Sequence, residues 1–133
     1  MKKTRIWFLV LVFLLLIPSS AWAACWVINS DISGSSWDIY EDNQQKIADF
    51  FKEIIKTGDT VVFVSFDYQI QTAFVKKIEN EQDTIGLVEC FQAQKLRSKS
   101  GSIVVEAFAK AVELVPPLKN DEKCYFLSLD DCC

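Results

Sequence analysis

The segment Asp31-Ile32-Ser33-Gly34-Ser35 places one carboxylate and two hydroxyls at alternate positions. The glycine inside it allows the chain to curl, so that alternate oxygens can face one point. Hard oxygen donors without nitrogen or sulfur suit Mg2+, Mn2+ or Ca2+ and suit Zn2+ badly. The same composition also describes an ordinary turn or a helix cap, and both readings stand at this level. Other chemistries are easier to exclude. The 133 residues contain no histidine, which removes Ser–His and Cys–His catalytic pairs and His-ligated zinc. No phosphate loop of Gly-x-x-x-x-Gly-Lys type is present. A Mg2+-dependent phosphatase-like site would want a second aspartate close behind Asp31, where this chain has Ser33. The expectation is therefore a non-enzyme, with phosphoryl chemistry as the minor alternative.

Five cysteines occur, Cys25, Cys90, Cys124, Cys132 and Cys133, with no Cys-x-x-Cys among them. Thiol-exchange catalysis is disfavoured, because vicinal cysteines such as Cys132 and Cys133 bond to each other only with strain. An odd thiol left over instead offers a handle for association.

The elements that must position these groups begin after a leader. Residues 1–23 open with Lys2, Lys3 and Arg5, continue as an apolar run from Ile6 to Ile17, and end in Ala21-Trp22-Ala23. That is the layout of a secretory signal peptide. The run is shorter than the roughly 20 residues of a membrane span, and no later stretch could span a bilayer. Removing 23 of the 133 residues leaves 110, residues 24–133, one small domain. Three of the 14 basic residues leave with the leader, so 11 face 18 acidic ones, a balance of −7. Such a chain is a poor ligand for nucleic acid, whose binding depends on Lys and Arg displacing counterions. It suits a periplasmic or secreted protein that meets cations or other proteins. A minor alternative is a lipoprotein acylated at Cys25, for which Trp22 is a poor fit.

Apolar runs at Cys25–Ser30, Thr60–Phe66 and Cys124–Leu129 predict strands buried on both faces. Thr72–Ile78 predicts a shorter strand, and the few residues before it allow only a hairpin to an antiparallel edge. Apolar spacings of three and four predict helices over Asp42–Lys56, stopped by Gly58, and over Gln82–Leu96. A third stripe, Val104, Ala107, Phe108, Ala111, Val112 and Val115, ends at Pro116-Pro117. The order β-α-β-β-α-α-β predicts an α/β domain, Rossmann-like, with a mostly parallel central sheet and helices on both faces. Functional groups in such sheets gather at the carboxyl ends of strands, which is where Asp31 and Asp130 lie.

From Trp26 to Val115 the chain resembles the von Willebrand factor type A (VWA) domain. The resemblance rests on Asp31-x-Ser33-x-Ser35 after the first strand and on the Gly58-Asp59 and apolar run ending at Phe66. It also rests on Ser100-Gly101-Ser102 ahead of an alanine-bearing helix, and on Leu129-Asp130-Asp131 closing the fourth strand. It implies a metal-ion-dependent adhesion site (MIDAS) in which Asp31, Ser33, Ser35, Ser102 and Asp130 hold Mg2+ (or Mn2+ or Ca2+). An open coordination position would then accept a carboxylate from a protein partner. If Asp31 and Asp130 meet at one ion, Cys25 and Cys124, each six residues earlier, lie side by side. They form either a disulfide or two reduced buried thiols.

The chain departs from the family at three points. Ser102 stands for a threonine, Asp131 stands for a glycine, and the sequence stops after its fourth strand. The expectation is a partial VWA fold, C-terminally truncated, with an apolar sheet edge open to oligomerisation. A non-functional or partner-completed fragment is the alternative. Elsewhere, Trp37 either shapes a ligand surface or plugs the first helix. Asp67 and Tyr68 belong either to the metal rim or to a hairpin turn. Glu79, Glu81 and Asp83 suit a helix start, and Cys90 suits the core.

Overall fold

The computed structural model describes residues 23–95, 103–119 and 122–129, without the side chains of residues 35–37, 39 and 40. In chain order they form β1 (Cys25–Asp31), α1 (Gly34–Ile54), β2 (Thr60–Phe66), β3 (Ile70–Lys77), α2 (Glu81–Gln92), α3 (Val104–Leu114) and β4 (Cys124–Leu129). The strands lie in the order β3-β2-β1-β4. β1 pairs in parallel with both β2 and β4, and β2 pairs antiparallel with β3. The α/β class holds, and the open sheet of four strands is mixed. The reason is local. Only the turn 67–69 separates β2 from β3, and a crossover to a parallel strand needs a dozen residues or more.

Alternation along the strands builds two apolar layers. On one face Ile28, Val61 and Phe63 pack against Ala48, Phe51 and Ile55 and against Leu87, Val88 and Phe91 of α2. Phe51 meets Phe91 edge-on, with ring centroids 5.1 Å apart. On the other face Cys25, Val27, Val62, Val64 and Phe66 pack against Ala107 and Ala111 of α3. β2 and most of β1 are thus buried on both sides.

Several boundaries differ from expectation. α1 starts at Gly34 rather than Asp42, so the Ser/Gly stretch after Asp31 is a helix start and not a loop. Nothing between Gly34 and Ile54 breaks a helix, while the apolar stripe that predicts one runs only from Ile47 onward. α1 ends when Ile55 turns extended. Gly58 lies in the following turn at φ 98°, a conformation that favours glycine, and its N–H donates to the Ile78 carbonyl at 2.7 Å. α2 ends at Gln92, not Leu96. Its start is capped by Asn80, whose side chain accepts from the Asp83 N–H at 3.2 Å. Cys90 is half-buried, with burial pushing its thiol pKa up.

β4 is less covered than expected. It is an edge strand with Tyr125 and Phe126 exposed. Within the predicted stripe of α3, Ala107 and Ala111 are buried, but Phe108 and Val112 are about half exposed, at 50% and 52%. Trp26 stacks on Tyr125 at 4.9 Å on one side of the edge, and Phe108 meets Phe126 at 4.7 Å on the other. The opposite edge, β3, carries exposed Lys76 and Lys77. No helix among the described residues is long and apolar enough to cross a membrane.

Candidate functional site

Asp31 ends β1, a strand flanked by partners on both sides, and its side chain is 1% exposed. One carboxylate oxygen, Oδ1, accepts the backbone N–H of Ser33 at 2.8 Å, the two-residue reach of an Asx turn. That turn swings the chain out of the sheet and delivers Ser33 as the N-cap of α1. Ser33 is buried, and its hydroxyl makes no capping bond to the helix. The other oxygen of Asp31, Oδ2, is buried and has no hydrogen-bond partner among the described residues. A buried carboxylate oxygen left in that state is costly unless a cation or proton meets it.

The five predicted metal ligands fare differently. Asp31 and Ser33 are both described, and the contact between them runs from the Ser33 backbone N–H to the Asp31 carboxylate. Ser35 lies in the first turn of α1, its side chain outside the described residues, as are Ser102 and Asp130 altogether. Their described neighbours bracket the same end of the sheet. The N–H of Ile103 donates to the Asp67 carbonyl at 2.9 Å just past β2, and Leu129 pairs with Ser30. Among the described residues no group of three or more His, Cys, Asp or Glu could hold a metal. Of the expected set, only Asp31 is of those types and described. Asp31 Oδ2, without a hydrogen-bond partner among the described residues, is a hard oxygen donor of the kind a divalent ion takes.

Other buried polar groups lie near the carboxyl ends of β1 and β2, and their sequence positions do not single them out. Asn29 Oδ1, Ser30 Oγ and Ser65 Oγ are buried without hydrogen-bond partners among the described residues. Ser30 and Ser65 are direct neighbours across β1 and β2. The available signal was the run of polar residues that closes β1, Asn29-Ser30-Asp31, and the single serine near the end of β2, Ser65.

Asp67 follows the last residue of β2. It is fully buried, with Oδ1 accepting from the Gln69 N–H at 3.0 Å and Gln71 Nε2 at 2.9 Å, while Oδ2 lacks a partner among the described residues. The hairpin-turn reading of Asp67 is correct in geometry, and Tyr68 is exposed at the tip. The turn also leaves a second buried carboxylate at the carboxyl end of the strand beside β1. The side chain of Trp37 lies outside the described residues.

At the opposite end of the sheet Cys25 and Cys124 form a disulfide. They are register partners, and the register runs unbroken to Ser30 and Leu129; Asp130 lies outside the described residues. No protein-family model matches this chain, and a search of curated proteins finds no match to it.

Proposed function

We propose that residues 24–133 form an exported, non-catalytic protein-binding module of VWA type, a partial VWA fold on a Rossmann-like sheet. Its ligands for Mg2+, or for Mn2+ or Ca2+, are Asp31, Ser33, Ser35, Ser102 and Asp130. When bound, the ion supplies an electrophilic position that accepts a carboxylate from a partner protein. The carrying observation is Asp31: buried, central in the sheet, held on one oxygen by Ser33 and, among the described residues, unpartnered on the other. With few carboxylates on the site, the ion keeps enough net charge to attract an external acidic group. The balance of −7 in residues 24–133 makes that attraction local, because acidic partners are repelled at long range. Export with removal of residues 1–23 is supported by the Cys25–Cys124 disulfide, which belongs to oxidising compartments.

Thermal melting of the oxidised chain with Mg2+, with Mn2+ and with EDTA tests the site. Metal should raise the melting temperature of the native chain and leave Asp31→Ala unmoved. Equal shifts in both chains, or none in either, reject it. A phosphatase assay with and without Mg2+ should show no turnover.

A second reading, association along β4, is favoured by one specific observation. That edge exposes Tyr125 and Phe126, on opposite faces, with no charged residue in the strand. Edges of this kind pair with other chains unless protected.

A further inference from the structure

Asp59, in the turn before β2, is only 4% exposed. Its Oδ1 accepts the backbone N–H of Ala24 at 2.9 Å, and its Oδ2 accepts the Trp26 indole N–H and the Lys56 backbone N–H, each at 2.9 Å. Among the described residues no ammonium or guanidinium pairs with it; the ion pairs there are Lys76–Asp83 and Lys110–Glu113. Aspartates this buried are ordinarily matched by a cation. One of its three donors is also unlike the others, because Ala24 N is the atom that cleavage after Ala23 would free.

We infer that removal of the leader supplies the missing cation, so that the new α-ammonium of Ala24 forms a salt bridge with Asp59 that anchors the start of β1. The inference rests on the reading of residues 1–23 as a cleaved signal peptide and is independent of the metal site. A peptidase adds water across the Ala23–Ala24 amide. The C–N bond breaks, the carbonyl carbon of Ala23 takes the hydroxyl, and the nitrogen of Ala24 takes the remaining hydrogen. At neutral pH the new carboxylic acid yields its proton to the amine, giving a carboxylate on the departing leader and an ammonium on Ala24.

Little must move for this pair to form. The Ala24 carbonyl already accepts from the Thr60 N–H at 2.9 Å, and Cys25 N–H donates to the Lys123 carbonyl at 3.0 Å. The nitrogen keeps its bond to Oδ1 and gains two protons. Asp59 is already desolvated in the uncleaved chain, so only the ammonium loses further hydration. Ala24 is half-buried beside a cavity of about 300 Å³ that Lys77, Lys119 and Glu122 also line, so its ammonium keeps a wet side. The net change replaces a neutral N–H donor by a charged one, and charge-assisted bonds are the stronger class.

Three oxidised chains test this: one beginning at Ala24, one retaining residues 21–23, and one beginning at Ala24 with its amine acetylated. Acetylation keeps an N–H donor and cancels the charge. The free Ala24 chain should melt about 5 °C above the other two, and Asp59→Asn should abolish the gap. A free chain melting at or below the acetylated one overturns the salt bridge, as does a gap that survives Asp59→Asn. Should Asp59→Asn fail to fold, the free and acetylated chains decide the matter alone. The intact mass of the exported protein checks the leader separately. A start at Ala24 is expected, and any other start removes both the leader boundary and the inference built on it. A correct start without a melting gap rejects the salt bridge alone.

Discussion

Cys25 and Cys124 are bonded to each other at the amino ends of β1 and β4, 99 residues apart in sequence, with Cα atoms 4.3 Å apart. The bond ties the edge strand to the centre of the sheet. That edge needs the tie, since among the described residues β4 pairs only with β1 and half of its side chains are exposed. Closing so long a loop removes much freedom from the unfolded chain, typically about 2–4 kcal/mol of stabilisation. The double variant Cys25→Ser, Cys124→Ser should lose an amount in this range in urea denaturation. Loss of β4 protection in hydrogen exchange should come first, ahead of β1 and β2. Peptide mapping without reductant that links neither cysteine to the other would contradict the pairing.

Asp31→Asn separates the fold from the metal. The amide keeps a carbonyl oxygen for the Ser33 N–H, so the Asx turn that starts α1 should survive. The charge that would face a divalent ion is gone. Stability without metal should therefore change little, or rise as an unpaired buried charge is removed. The response to metal, about 2.7 kcal/mol at a hundredfold excess over Kd for the native chain, should disappear. An Asp31→Asn chain that still responds to Mg2+ would place the ion elsewhere.

The Lys76–Asp83 pair, 2.8 Å long, joins β3 to the first turn of α2. The Lys76 ammonium, helped by the Glu79 N–H, holds the Asp83 carboxyl below its usual value of 3.8. A lowered carboxyl contributes stability above its unfolded pKa and loses it as pH falls through the folded one. The loss therefore lies at and below about pH 4. Lys76 is raised above 10.5, chiefly by the hydrogen bond to Asp83, so its contribution fades only as pH rises beyond that value. Asp83→Asn should flatten both ends of a stability–pH profile and leave pH 5 to 9 almost level. The effect should be small and should shrink in salt, because the pair faces solvent.

Phe126→Lys should keep the chain monomeric. The substitution gives β4 the kind of charge that Lys76 and Lys77 give β3, and lysine on an edge strand discourages pairing with another chain. The cost in stability should be about 1 kcal/mol, the scale of the lost contact with Phe108. Light scattering of the native chain should show mass rising with concentration, and the variant should not. A native chain that stays monomeric at high concentration would end the edge-association reading.

Much of the architecture is legible in the sequence because its signals are local. Continuous apolar runs marked β1, β2 and β4. The short spacer before β3 forced a hairpin, and Pro116-Pro117 closed α3. The equal sequence offsets of Cys25 and Cys124 from Asp31 and Asp130 suggested neighbouring cysteines if both aspartates met one ion, and left bonded and reduced thiols open; the disulfide is the outcome. The start of α1 was not legible. Gly34 and its serines compose a turn as readily as a helix start, and the Asp31–Ser33 hydrogen bond decides between them.

Which polar groups become buried, and beside what, was set by the tertiary structure. Asp59 and Asp67 look in the sequence like ordinary turn residues. One turn lies under the start of β1 and the other beside the end of β2, so both lose water that an isolated turn would keep. The half-covered face of α3 is the same effect reversed. Its apolar spacing is faithful to a helix with one buried stripe: Ala107 and Ala111 are buried against the sheet and Val104 and Val115 pack at the margin of that cluster, but Phe108 and Val112 stay half exposed. Periodicity specifies which side of an element is apolar. Whether that side meets protein or solvent depends on strand order and register, which arise from contacts between residues remote in the chain.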